Sequence, residues 1–126
     1  MATLKEKLVR LMHGGNIPLI ATQEKVSFPL IERMYKKMKL GIMFPTIRIH
    51  ENAIIEGHHR YLASLLAECE VERGQGIRPL VKQDIHWCNV QLLEEDYYTD
   101  TKIKILNDDD AKYLSISVEA LLEKIK

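Results

Sequence analysis

Two histidines and an arginine follow one another at residues 58–60, directly after Glu56-Gly57 and directly before Tyr61. These side chains suit anions: a guanidinium presents a planar fork that matches phosphate, and an imidazole exchanges a proton near neutral pH. Their setting strengthens that chemistry. Ahead of them, Ala53-Ile54-Ile55 is apolar and β-branched and has strand character. Behind them, Tyr61, Leu62, Leu65, Leu66 and Cys69 fall at helical spacing. A strand therefore turns sharply into a helix whose first turn carries His58, His59 and Arg60. A helix N-terminus offers unpaired backbone N–H groups and a positive dipole end, so an anion site is expected here, with phosphate as the best-fitting ligand. Gly57 lets the backbone turn and approach a ligand closely. Glu56 is a candidate to hold Mg2+ beside the phosphates or to orient a histidine; the plain alternative is a solvated strand-end carboxylate. Neighbours on a helix point about 100° apart, so His58 and His59 need not face one ligand. Charged histidine is disfavoured at a helix start, so both rings are expected to be neutral donors at pH 7.

Other chemically capable residues carry weaker signals. His86 and Cys88 would share one face of a strand, which suggests a Cys/His pair, but a packed edge strand is the preferred reading. Asp108-Asp109-Asp110 lacks the spacing of a calcium loop and reads as a solvated turn. His50 ends the strand opposite the motif and reads as structural.

The elements that must position the motif follow from periodicity and punctuation. Leu4, Leu8, Leu11 and Met12 predict an amphipathic helix over 3–13, with Thr3 as its cap and Gly14-Gly15-Asn16 as its end. Residues 17–21 read as a short strand and 22–25 as a polar connection. Ser27 caps the next helix, with Pro29 tolerated in its first turn; Leu30, Ile31, Met34 and Met38 are its buried stripe and Gly41 its stop. Arg33, Lys36, Lys37 and Lys39 then form a basic face, solvated or facing nucleic acid. A Pro45-led strand over 46–50, a turn at Glu51-Asn52 and a strand over 53–55 predict a hairpin. The motif helix is expected to run to about Arg73 and to end at Gly74-Gln75-Gly76. One or two extended stretches over 79–92 are anchored by Val81, Ile85, Trp87 and Val90. Glu94–Asp100 reads as an acidic loop, 102–106 as a strand, 107–110 as a turn, 113–116 as a strand, and Ser117 as the cap of a last helix. The order is mixed α+β, a small mixed sheet packed by helices with further α/β elements at the C-terminus.

With 126 residues the chain fits one domain, 1–126, with its core over about 17–90 and an extension over 91–126. No stretch reads as a membrane span or a secretory signal. Cys69 and Cys88 lie in apolar contexts without CxxC spacing and read as reduced, buried thiols of a cytoplasmic protein. Net charge is zero, but residues 1–60 carry ten Lys/Arg against five Asp/Glu and residues 61–126 carry eight against thirteen. That asymmetry fits a local anion site or a partner of mixed charge better than broad non-specific DNA binding. A homodimer is compatible with this composition.

The order helix, Gly41, Pro45-led strand, Asn52 turn, strand, Glu56-Gly57-His58-His59-Arg60-Tyr61, helix with Ala63 and Ala67 resembles the ParB/sulfiredoxin superfamily over roughly residues 17–90. Several chemistries share that fold. Sulfiredoxins carry a G-C-H-R form, and His58 stands where their Cys would be, which argues against sulfinic-acid repair. ParB proteins carry G-E-R-R and bind CTP; Gly57 and Arg60 match. The D-G-H-H-R-Y form of the family's free serine kinases matches best, with Glu56 for Asp. The resemblance implies a nucleotide, ATP or CTP with Mg2+, bound at Gly57, His58, His59 and Arg60. It also implies NTP hydrolysis or phosphotransfer, with Glu24, in the connection before the long helix, and Glu56 as catalytic carboxylates and Glu56 as the metal ligand. Gln23 and Lys25 partly match the ParB Q-P-R loop. The competing expectation is a module without catalysis, either a DNA-associated partition or mobile-element module of plasmid or phage type that uses Arg33, Lys36, Lys37 and Lys39, or a protein-interaction module. A nuclease ranks last.

Overall fold

The computed structural model describes all 126 residues. Helix α1 (Leu4–Gly14) starts where Thr3 Oγ1 accepts from the Glu6 N–H at 3.1 Å, and it buries Leu8 and Met12. A short strand β1 (Lys25–Ser27) runs straight into α2 (Phe28–Lys39). Ser27 Oγ caps α2 by accepting from the Leu30 N–H at 3.3 Å; Leu30, Ile31, Met34 and Met38 are buried, and Gly41 (φ +90°) turns the chain away. Strands β2 (Ile47–His50) and β3 (Ala53–Glu56) form the predicted antiparallel hairpin, with Glu51 left-handed in the turn (φ 55°) and a bulge between Arg48 and Ile49. Helix α3 (His58–Ala67) follows at once and packs against α2.

Strand β4 (Arg73–Gln75) lies parallel to β2, which makes a three-stranded sheet in the order β3-β2-β4. A single 3-10 turn (Trp87–Asn89) leads into β5 (Gln91–Leu93), which pairs parallel with β1 as a second, two-stranded sheet. Helices α4 (Asp100–Leu114) and α5 (Val118–Lys124) complete the chain. The class is α+β. A cluster of 17 buried residues, among them Leu8, Ile31, Met34, Ile47, Ile54, Leu62 and Trp87, joins α1, α2, α3 and the sheet. A separate cluster of three, Ile42, Ala111 and Leu121, seats α4 and α5 on the segment after α2. No helix is long and apolar enough to cross a membrane.

The C-terminal third departs most from expectation. The strand expected over 102–106, the turn over 107–110 and the first half of the strand over 113–116 are one helix. Its cap is Thr99, whose Oγ1 accepts from the Lys102 N–H at 3.2 Å. Asn107 and Ala111 make its buried face, and the polar Asn at a core position hides the helical period. Helix α3 stops at Ala67, short of Arg73: Glu68 is left-handed (φ 54°), and the Glu68 and Cys69 N–H groups close on the Leu65 and Ser64 carbonyls. Arg73–Gln75, read as part of the helix end, is drawn into the sheet by β2. Residues 17–21 make only isolated bridges, at Ile20 and Ala21. Val81 and both cysteines are exposed rather than buried.

Candidate functional site

The turn from β3 into α3 forms one wall of a cavity of about 410 Å³. Glu56, Gly57, His58, His59 and Arg60 line it from this side, Arg33, Met34 and Lys37 from α2, Ile42 to Pro45 from the following segment, and Tyr98, Leu106 and Asp110 from the C-terminal third. Gly57 is required at this turn. Its φ is +103°, and a Cβ there would lie 2.5 Å from Ile47 Cγ2 and 2.9 Å from Arg60 Nη2. With glycine at the cap, no side chain binds the first-turn N–H groups of α3. These groups belong to His58, His59 and Arg60, residues of the cavity wall at the positive end of the helix dipole.

The two histidines are latches. His58 is only 1% exposed, and its Nε2 accepts from the Thr22 N–H at 2.9 Å; Thr22 Oγ1 in turn donates to the Ile54 carbonyl at 2.6 Å. His59 Nε2 accepts from the Ser27 N–H at 3.0 Å, and its ring meets Tyr97 edge-on at 5.3 Å. An acceptor Nε2 places the proton on Nδ1, so both rings are neutral tautomers. Burial is the main cause: it lowers the pKa of His58 to about 3, helped by Lys82 and His59, and that of His59 to about 4, helped by Arg60. The rings are neutral as expected, but their Nε2 atoms are acceptors from backbone, not donors to a ligand. Together they pin both ends of segment 22–27, and Gln23 in that segment reaches the cavity.

Three cations surround the cavity, and each has a carboxylate. Arg33 forms a two-pronged bridge to Asp96 (2.8 and 3.0 Å), which holds the Asp96 carboxyl below its usual pKa. Lys37, 3% exposed, meets Asp110 at 2.7 Å. Arg60, whose side chain is 15% exposed, lies 3.8 Å from Glu56 across the β3–α3 turn. A lysine as buried as Lys37 requires such a partner, because an unpaired charge there would be strongly destabilising. The apolar part of the lining is Leu30, Met34, Ile42, Met43, Phe44, Pro45 and Leu106.

Of the residues expected at the site, Glu56, Gly57, His58, His59 and Arg60 come together on one wall. Glu24 does not: it is exposed and outside the cavity lining, and its carbonyl accepts from the Gln91 N–H at 2.8 Å between β1 and β5. The basic face also divides. Arg33 and Lys37 turn into the cavity on their aspartates, which leaves Lys36 and Lys39 outside. Lys37, expected on the basic face, is buried instead; the signal passed over was its position three residues after Met34 and seven after Leu30, in line with the apolar stripe of α2. Tyr98 and Asp110 had no signal, because they arrive by a chain reversal of the C-terminal third. His50 lies away from this cavity, within 3.8 Å of Glu51. His86 and Cys88 flank or enter the 3-10 turn as exposed residues instead of sharing a strand face. Nowhere do three or more His, Cys, Asp or Glu side chains group as a metal site. No family model matches the chain, and no match is found among the curated proteins or the solved structures.

Proposed function

We propose that this chain binds a nucleotide by its phosphates at the Gly57–Arg60 turn. The observation that carries the reading is the uncapped N-terminus of α3 opening into a cavity that also holds Arg33, Lys37 and Arg60. Backbone N–H donors, a dipole end and three cations together favour a multiply charged anion. The cavity's size lies within the usual range for small-ligand sites, about 300–1,000 Å³. Its apolar side, with Met34, Ile42 and Phe44, suits a base and sugar better than free phosphate does. The resemblance of Glu56–Tyr61 to the ParB/sulfiredoxin motif supports the same reading, and ATP or CTP are the ligands it implies.

The residues fit Mg2+ in the manner usual for that ion, which takes one or two carboxylates and completes its shell with phosphate and water. Glu56 is the carboxylate there, since Asp110, the other carboxylate of the cavity lining, is held by Lys37. Mg2+ bound there would neutralise phosphate charge. For hydrolysis or phosphotransfer, Glu56, whose side chain is 72% exposed, is the one placed to take a proton from an incoming acceptor.

Isothermal titration with ATP, ADP and CTP, with and without Mg2+, tests the reading. Arg60→Ala is expected to weaken nucleotide binding by at least about tenfold, the worth of a charge-assisted hydrogen bond. Absence of binding by the wild-type chain overturns the proposal. Release of inorganic phosphate over hours then separates an NTP-hydrolysing protein from a binder.

A further inference from the structure

The cations that make this cavity attractive to phosphate are already held by the C-terminal third of the same chain. Asp110 of α4 holds Lys37, and Asp96, on the segment leading into α4, holds Arg33. Leu106, Asp110 and Tyr98 are themselves part of the cavity wall. A phosphate that takes Lys37 or Arg33 must therefore displace an aspartate or lie against it, and two like charges at such range repel. Phosphate carries more charge than a carboxylate and offers a further oxygen, so it competes for the same cations.

The arm has a seat of its own. Its buried cluster is small, Ile42, Ala111 and Leu121, apart from the 17-residue core and joined to it through the partly buried Phe44. Asn107 Oδ1, on the inner face of α4, is buried without a protein hydrogen-bond partner, so closure gains no protein hydrogen bond there. The near end is firm by contrast. β5 pairs with β1, and Ser27 Oγ donates to the Glu95 carbonyl at 2.7 Å, so a hinge falls after Glu95.

We propose that residues 96–126 form a ligand-released lid. Asp96 and Asp110 occupy the cavity cations in the free chain, and an anionic ligand displaces them and frees α4 and α5. The proposal rests on the phosphate-binding reading above, and it adds that binding and arm closure compete.

Amide hydrogen exchange of the full chain, with and without saturating ATP and with pyrophosphate as a base-free probe, tests it. Ligand is expected to speed exchange across 100–124 by about tenfold while α3 stays protected. Asp110→Asn is expected to speed exchange there without ligand, because buried Lys37 loses its partner, and to tighten ATP binding by at least about fivefold, because the ligand no longer competes with that carboxylate. Asp96→Asn is the second variant, and protection of α3 amides verifies that each variant folds. If ATP binds but protection of 100–124 is unchanged or rises, the lid is overturned and nucleotide binding stands. If exchange in the ligand-free Asp110→Asn and Asp96→Asn chains matches wild type, the ion pairs do not hold the arm and the lid is overturned. If neither ATP nor pyrophosphate binds wild type or variant, the phosphate site itself falls, and the lid with it.

Discussion

At the scale of single residues, the His58-His59 pair shows how one motif can be right in place and different in role. Imidazoles at a helix start beside Gly57 and Arg60 point to a ligand, yet each spends its Nε2 on a backbone N–H, of Thr22 or Ser27. The histidines therefore position segment 22–27, while Arg60 lines the cavity with no such backbone partner. This arrangement has a pH consequence. With folded pKa values of about 3 and about 4 against an ordinary 6.5, both rings stay unprotonated where an unfolded chain would bind protons. Their contribution is complete above about pH 6.5 and is lost as pH falls toward 4 and then 3, at about 1.4 kcal/mol per pH unit for each ring. Between pH 6.5 and 5 the pair together would cost up to about 4 kcal/mol. Urea unfolding midpoints are expected to drop between pH 7.5 and 5.0. His59→Gln, which keeps an acceptor but does not titrate, should flatten that drop by about half.

At the scale of elements, three helix caps and one hairpin came out as read. Thr3, Ser27 and Ser117 each cap a helix as expected, and the β2–β3 hairpin turns at Glu51-Asn52. These features depend on residues within a few positions of one another, where side-chain caps and turn conformations act. Helix α4 was not legible because its buried face carries Asn107, so its polar pattern mimics strand, turn and strand. Strands β1, β4 and β5 have three residues each, too short for any period, and exist because a partner lies alongside. Leu121 is fully buried in the small cluster beneath α4 and α5. Leu121→Ala should cost about 2–3 kcal/mol locally, the low end for a buried leucine. Hydrogen exchange should report the loss in residues 100–124 and leave α3 protected; equal loss in both elements would mean that the arm and the core unfold as one.

At the scale of the whole molecule, the two clusters divide stability. Leu62 is fully buried where α2 and α3 meet the sheet. Leu62→Ala is expected to cost about 3–5 kcal/mol and to lower the denaturation midpoint of the entire chain, unlike Leu121→Ala. Circular dichroism and Trp87 emission followed through one urea titration would show both probes shifting together. Charge is organised at this scale too: the basic first half meets the acidic second half at Arg33–Asp96 and Lys37–Asp110, across the cavity. By itself the sequence determined the α+β class, the helix caps, the hairpin and the place of the Glu56–Arg60 turn, because these follow from periodicity and short-range hydrogen bonding. Tertiary structure alone decided that the histidines latch a remote loop, that Glu24 stands outside the site, and that Lys37 and Arg33 face the cavity under aspartates from the far end of the chain. The physical reason is that a side chain's partner and its burial depend on which distant segment folds against it, and no local pattern encodes that.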